Sequence, residues 1–292
     1  MWLEITGKCS LLCKHCYADS GPGGIRGTMD VADWCRVIEE TARLGGRMVQ
    51  FIGGEPTLHS ALPDLIDYTL ARGLQVEVFS NLVHVTPDLW KVFAQRGVHL
   101  ATSYYSDIAW EHESITRGRG SYTRTRANIV EALRRSIPLR VGLIDVQDGQ
   151  RVGQARVELT SLGVANIGVD RLRQVGRGAR DQRLDDVSQL CGGCARGKVA
   201  VAGNGDVWPC VFARWMRVGN VHESALAEIL AGPSMAETCS KLKHMATLKK
   251  DKKKCEPESK CHPAEDDCSP YCPPDYHSDP KKCWPYYYSD DK

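Results

Sequence analysis

Three cysteines fall within eight residues near the start of the chain, in Cys9-Ser10-Leu11-Leu12-Cys13-Lys14-His15-Cys16-Tyr17. Soft thiolates gathered on one short loop select zinc or an iron–sulfur cluster. The loop follows the apolar run Trp2-Leu3-Glu4-Ile5, which reads as a strand, so whatever the thiols hold sits at a strand end. Zinc would need a fourth ligand, with His15 as the local candidate. That residue adjoins Cys16 and would have to turn back into the same tetrahedron, whereas structural zinc spacings come in pairs. A cube-shaped cluster held by only three cysteines leaves one iron open to a small ligand.

The rest of the composition narrows the setting. With 38 basic and 36 acidic residues the net charge is +2, and no global field recommends nucleic acid as a partner. No apolar run reaches the eighteen or so residues of a membrane span, and Met1-Trp2-Leu3-Glu4 lacks the regions of a signal peptide, so no membrane partner and a cytoplasmic location are expected. Thirteen cysteines in a reducing compartment point to metal ligands or reactive thiols rather than a disulfide framework.

Up to about residue 176, short apolar runs alternate with segments of helical period, the pattern of βαβ units and a parallel sheet. The expected strands are Trp2–Thr6, Met48–Ile52, Val76–Ser80, His99–Ser103, Leu139–Ile144 and Asn166–Asp170. Helices are expected near Val31–Leu44, Leu62–Arg72, Asp88–Arg96, Tyr122–Arg135 and Arg151–Leu162, several stopped by Gly45, Gly73, Gly97 or Gly163. The fold class is α/β, with ligands at the C-terminal ends of the strands whether the sheet closes or stays open.

The second strand leads into Gly53-Gly54-Glu55-Pro56, at the position where a ligand is expected. With Cys-x3-Cys-x2-Cys and the following aromatic Tyr17, this motif resembles the signatures of radical S-adenosylmethionine (SAM) enzymes. The resemblance implies an open, partial (β/α)6 TIM-like barrel. It also implies a [4Fe-4S] cluster on Cys9, Cys13 and Cys16 whose open iron chelates SAM, and one-electron cleavage of SAM to a 5′-deoxyadenosyl radical that abstracts a substrate hydrogen. Gly53, Gly54, Glu55 and Pro56 would receive the SAM amino group, the glycines because backbone can approach where there is no Cβ, and the glutamate because a carboxylate holds an ammonium. Ser80 and Asn81 after strand three, and Ser103 after strand four, are candidate ribose, carboxylate or methionine contacts. Arg117 or Arg140 is a candidate fork for the SAM carboxylate. His84, His99 and His112 read as surface or packed histidines, and Cys35 as a small buried hydrophobe.

Beyond a Gly/Arg-rich stretch from Arg171 to Arg180, read as a linker or substrate-facing loop, comes Cys191-Gly192-Gly193-Cys194. Gly203-Asn204-Gly205-Asp206 between two β-prone runs signals a hairpin that returns Cys210 towards that pair. A helix over Ala225–Ala231 and Cys239 follow. Next comes a run of seven lysines and one aspartate between Lys241 and Lys254, read as a solvated linker. The last 38 residues carry five cysteines and seven prolines and cannot bury a core of their own.

This half resembles the SPASM extension of radical SAM enzymes, which implies one or two auxiliary [4Fe-4S] clusters. In the family's interleaved order Cys191, Cys194, Cys210 and Cys272 would hold the first, and Cys255, Cys261, Cys268 and Cys283 the second. Cys191 and Cys194 are closer together, and Cys255 and Cys261 further apart, than that pattern has them, and zinc is the rival occupant of the tail. The expected organisation is a core over 1–176, an auxiliary hairpin and helix over 177–240, and a lysine-rich linker with a Cys/Pro-rich tail over 241–292. Cys239 belongs to neither set; it is either a hydrogen donor to a substrate radical, as in some radical SAM epimerases, or a packed thiol.

The resemblance implies maturation of a ribosomally made peptide by crosslink, thioether or epimerisation, fed by an electron donor such as flavodoxin or ferredoxin. The alternative is an epimerase or dehydrogenase of a small molecule such as an aminosugar or cyclitol, suggested by a chain that starts directly at strand one with no leader-binding domain ahead of it. A cysteine-rich binding protein without radical chemistry is the remaining class.

Overall fold

A computed structural model describes residues 1–179, 187–191 and 193–251. Its first part alternates β1 (Trp2–Thr6), α1 (Val31–Arg43), β2 (Met48–Gly53), α2 (Leu62–Ala71), β3 (Gln75–Phe79), α3 (Pro87–Phe93), β4 (Val98–Tyr104), α4 (Ala109–Thr116), α5 (Ser121–Arg134), β5 (Leu139–Asp145), α6 (Val152–Ser161) and β6 (Asn166–Arg171). The strands lie in chain order and every neighbouring pair is parallel, which gives an open, partial (β/α)6 barrel.

Local chemistry sets the ends of the elements. The Asp30 side chain accepts from the Asp33 backbone N–H, and Asp33 answers on the Asp30 N–H, a reciprocal cap that starts α1. Thr86 caps α3 with Pro87 in the first turn, where a missing N–H costs nothing. Both faces of the parallel sheet are covered. Leu3, Ile5, Val49, Phe51, Val76 and Val78 point outward and are fully buried against Trp34, Ile38, Leu62 and Ile66 of the helices. Each such side chain contributes about 1.5–3 kcal/mol relative to exposure.

The remaining described strands and α-helices are β7 (Ala200–Val201), β8 (Asp206–Trp208), β9 (Gly219–Asn220), α7 (Leu226–Ala231) and α8 (Pro233–Asp251). The hairpin expected around Asn204-Gly205 is present: the Ala202 N–H donates to the Asp206 carbonyl, and Gly205 takes a positive φ of 84°. It does not form a sheet of its own. β7 pairs in parallel with β1, Trp2 opposite Ala200 and Leu3 opposite Val201, so one nine-stranded sheet runs from β6 through β1 to β9. Arg214 fastens the same junction, with Nη1 at 2.6 and 2.8 Å from the two Glu4 oxygens and the guanidinium 4.3 Å above the Trp208 ring. α8 carries through the first part of the lysine run to Asp251, in keeping with the good helix propensity of lysine where neither glycine nor proline interrupts.

Candidate active site

A cavity opens at the C-terminal ends of the strands. One wall is the loop after β1, which presents Cys9, Cys13 and Cys16. Gly53 and Gly54 after β2, Asn81 after β3 and Ser103 on β4 continue the wall, and Val211 and Phe212 of the C-terminal part close it from the other side. The glycines are required where they stand. A Cβ on Gly53 would meet the Thr6 carbonyl oxygen at 2.2 Å and one on Gly54 the Lys8 carbonyl oxygen at 2.1 Å, because this turn lies directly on the end of β1. Gly53 also has a φ of 134°, in the region glycine favours.

Glu55 does not face the cavity. It is 2% exposed, and its carboxylate accepts from the Ser80 hydroxyl (2.8 Å), the Asn81 N–H (2.7 Å) and the N–H and hydroxyl of Thr57 (3.1 and 2.8 Å). Four donors fill the lone-pair sites of one carboxylate. Burial still pushes its pKa above the usual carboxylate value. Glu55 with Ser80 thus braces the β2 turn against the end of β3, behind the wall, while Asn81 reaches forward. The Asn81 amide lies 3.8 Å from Cys9 Sγ and 3.3 Å from Ser10 Oγ, and its carbonyl receives the Thr125 hydroxyl.

The cluster loop is held from outside by the segment after β6. The Arg177 N–H donates to the Cys16 carbonyl (2.9 Å), its Nε–H to the Cys13 carbonyl (2.9 Å), and its terminal nitrogen to the Ser20 carbonyl (2.5 Å). Gly176, at φ 57°, leaves room for the Cys16 and Tyr17 carbonyls, which a Cβ there would meet at 2.5 and 2.4 Å. Arg171 and Arg173 of the stretch read as a linker or substrate-facing loop line the cavity, and its later part, Gly176 and Arg177, is a clamp. A Gly-Arg-Gly after the last strand was its only trace in the sequence.

The residues present fit an iron–sulfur cluster. The three thiols line one wall, and Cys9 Sγ already receives the Leu11 N–H at 3.4 Å besides the Asn81 amide, the kind of donor that steadies a cluster-bound thiolate. Burial pushes the Cys9 thiol up to about 11 and Cys13 well above its ordinary value, the neighbouring thiols adding to the rise. These groups ionise when iron compensates the charge. Zinc would need His15 as a fourth ligand beside the three thiols. His15 turns instead to Tyr105, its Nε2 3.2 Å from the phenol oxygen, and burial lowers its pKa to about 4.

Tyr105 and His112 also line the cavity; nothing in the sequence singles out Tyr105, and His112 reads there as no more than a surface or packed histidine. His112 is 1% exposed, edge-on to Tyr104, Tyr105 and Tyr122, with its pKa pushed down to about 4 by burial. It is a packed histidine, as expected, but one at the cavity wall. His99 is half-buried and His84 exposed, while Cys35 packs partly buried on the core.

Three other expected roles meet different surroundings. Arg140 is 4% exposed and committed to Glu77, Nε to Oε2 at 2.7 Å and a terminal nitrogen to Oε1 at 2.5 Å, with Gln50 donating to the same carboxylate. Arg140 and Glu77 do not line the cavity, although Gln50, which donates to the same carboxylate, does; the guanidinium is thus spent on Glu77 and is not a fork for a ligand carboxylate. Arg117 ends α4 in the left-handed region (φ 52°) and lines a separate depression with Lys14 and Arg177. Cys239 packs on the outer core through α8 and does not line the cavity, so the structure does not bring it to a substrate there.

Cys191, Cys194 and Cys210 do come together. They share one apolar cluster, the Ala195 N–H bonds to the Pro209 carbonyl (3.0 Å), and the Cys194 thiol is held far above its ordinary value, chiefly by hydrogen bonding to Cys210 and by burial. Phe212, two residues beyond Cys210, packs edge-to-face on Tyr17, ring centres 5.0 Å apart, which joins this cluster to the first loop. Cys255, Cys261, Cys268, Cys272 and Cys283 lie outside the described residues.

Comparison with known proteins agrees with this arrangement. The family model of the Radical SAM superfamily matches residues 3–154, and that of an iron-sulfur cluster-binding domain, SPASM, matches residues 171–268. A PqqA peptide cyclase of Xanthomonas campestris pv. campestris is 28% identical over 182 residues, 62% of this chain and 48% of that protein. Mycofactocin maturase MftC of Mycolicibacterium smegmatis is 29% identical over 188 residues, 60% of this chain and 45% of that protein. The chain thus spans about half the length of these relatives. Streptococcus suis SuiB bound to S-adenosylmethionine superposes with a TM-score of 0.68 at 14% identity, over 82% of this chain and 67% of that one.

Proposed function

The chain belongs to the radical SAM superfamily, and on that premise we propose that it matures a ribosomally synthesised peptide, at the cavity between the Cys9/Cys13/Cys16 loop and the C-terminal part. The observation that carries the reading is the joint lining of this cavity by the three thiols, by Gly53 and Gly54, and by Val211 and Phe212 of the auxiliary region. A substrate placed there touches both parts of the chain. The two relatives named for peptide cyclisation and maturation supply the substrate class.

A [4Fe-4S] cluster on Cys9, Cys13 and Cys16, with SAM on its open iron, supplies one-electron cleavage of SAM and hence hydrogen-atom abstraction from the substrate. The chain's own residues prepare the place for it. Gly53 and Gly54 let backbone approach the bound SAM, Asn81 and Ser103 offer polar contacts, and Glu55, Pro56 and Ser80 keep that wall rigid from behind. Tyr105 fixes the His15 ring against the loop, and Val211 and Phe212 exclude water from the reacting centre. Cys191, Cys194 and Cys210 are the described part of an auxiliary cluster site, for which Cys272 is the proposed fourth ligand; a second site on Cys255, Cys261, Cys268 and Cys283 completes the reading. Among the described residues no helix is long and apolar enough to cross a membrane, in keeping with a cytoplasmic enzyme served by an electron-carrier protein.

The test is anaerobic co-expression with each short peptide encoded beside the gene, followed by mass analysis of the peptide. A mass change that requires Cys13 supports peptide maturation. Unmodified peptides together with turnover of a low-molecular-weight substrate overturn it in favour of small-molecule chemistry. Iron content addresses the clusters separately, about twelve per chain for three four-iron clusters and about eight for two.

A further inference from the structure

Arg173 follows the end of β6 by two residues and lines the cavity together with Asp170 and Arg171. It is 9% exposed, and its guanidinium makes three contacts in the fold. One terminal nitrogen donates to Asp170 Oδ1 at 2.5 Å, the other donates to the Gln189 carbonyl at 2.9 Å, and the group lies 5.8 Å from the centre of the Phe212 ring. Gln189 stands two residues ahead of Cys191, and Phe212 two residues beyond Cys210. One side chain is thus tied to both segments that bring thiols to the auxiliary site. Its charge reaches the Cys194 thiol, where it favours the anion against burial and the hydrogen bond to Cys210.

The surroundings make that charge effective. Leu190, Cys194, Cys210, Val211 and Trp208 are buried in one apolar cluster, and Phe212 packs against it. Charges held in such a place are screened far less than charges on the surface. The position of the guanidinium is also fixed. Gln189 is held a second time, its Oε1 receiving the Gln174 N–H at 3.0 Å, so the segment after β6 and the segment ahead of Cys191 move as one piece. The carboxylate that answers Arg173 is Asp170, 5% exposed and on the cavity wall. The potential of an iron–sulfur site is set by the net charge, hydrogen bonding and exposure around its sulfurs, and these residues supply the first of the three.

We propose that Arg173 is a positioning charge that raises the reduction potential of the auxiliary cluster on Cys191, Cys194 and Cys210, and that Asp170 moderates it from the cavity side. The inference rests on the auxiliary-cluster reading of these three thiols. Reduction of the site adds one electron, and with it one negative charge, while no bond is made or broken. A fixed cation within electrostatic reach lowers the cost of that added charge, and a carboxylate paired with the cation takes part of the benefit back.

The test is a potentiometric titration of the reconstituted full chain, read by electron paramagnetic resonance, for wild type, Arg173→Gln, Arg173→Lys and Asp170→Asn. In Arg173→Gln the auxiliary signal should titrate about 59 mV lower or more, which is a tenfold or larger loss in the one-electron reduction equilibrium. Arg173→Lys should recover most of that shift, because it keeps the charge and gives up only the fork. Asp170→Asn should move the potential upward, since it removes the carboxylate and leaves the cation. The core signal should shift by less than the auxiliary one, the cation that acts on Cys13 being Arg177. A purely structural role predicts lost iron in all three variants and no such ordering of sign. An Arg173→Gln potential equal to wild type, with both clusters loaded, would overturn the proposal. So would a downward shift in Asp170→Asn, or equal shifts of the two clusters. If Arg173→Gln does not load the auxiliary site, the sign of the Asp170→Asn shift decides. Wild type that shows neither an auxiliary signal nor its iron would fail the auxiliary-cluster reading itself, a result distinct from a loaded site whose potential ignores Arg173.

Discussion

The Arg177 guanidinium donates to the carbonyl oxygens of Cys13 and Ser20 at once, at 2.9 and 2.5 Å, and so spans the cluster loop from one ligand to its far end. Hydrogen bonds from a charged donor are worth about 1.5–3 kcal/mol each. Arg177→Ala is expected to loosen the loop and lower core-cluster occupancy to less than about half of wild type, because a ligand set that is not held in place binds with lower affinity. Arg177→Lys should rescue only partly, since a single ammonium on a flexible stem lacks the fork that reaches both carbonyls. Iron content and the electron paramagnetic resonance signal of the reduced core cluster check both variants.

The Glu77–Arg140 pair is buried on both sides, so removing one partner strands the other charge. Glu77→Gln is expected to cost about 3–5 kcal/mol, whereas the volume-matched apolar double substitution Glu77→Leu/Arg140→Met should cost far less. In a chain of this size 1 kcal/mol corresponds to about 2–4 °C in Tm. Thermal unfolding should therefore separate the two variants by on the order of 10 °C, and equal Tm values would mean that the pair is not desolvated as described.

His112 gives the fold a pH dependence of known sign. Its folded pKa is lowered to about 4, against an unfolded value of 6.5, so the neutral ring is favoured in the fold. Stability from this group is complete above the unfolded value and is lost as pH falls from there towards the folded value. Between pH 7 and pH 5 the loss is on the order of 2 kcal/mol. Denaturant titrations of wild type and His112→Phe should diverge in slope over that interval, the variant lacking this contribution.

Cys239→Ala is expected to leave product formation unchanged, because the thiol packs against the outer core from α8. A stability loss of about 1 kcal/mol is the expected outcome, as for many partly buried substitutions. Product analysis checks it: loss of an epimerised product with retained SAM cleavage would restore the donor role.

Much of this was legible in the chain because its signals are local. The spacing of Cys9, Cys13 and Cys16, the Gly53-Gly54 turn and the strand–helix alternation each lie within a few residues, and the observed strands begin and end within about one residue of the expected ones. α4 was missed because its apolar and polar residues do not sort onto one stripe; Glu111 and His112 are both buried. Arg177, Tyr105 and the β1–β7 pairing were illegible for another reason. Arg177 lies 164 residues from the carbonyl it holds, and only the folded chain brings the two together. The ligand roles expected of Arg117 and Arg140 illustrate the same limit, since an arginine's partner is chosen by the tertiary structure and not by its neighbours in sequence.

The ladder between β1 and β7 has a consequence for inheritance as well as for architecture. Each residue of strand advances about 3.3 Å, and a slip of one residue turns every side chain to the opposite face. The relative placing of the strands from which the two sulfur-bearing loops leave is therefore quantised, and mutation can shift it only in whole steps that also invert Trp2 or Ala200. A lineage can remodel the loops and the cavity walls while the strands beneath them stay locked to the hydrogen-bond register, Trp2 against Ala200.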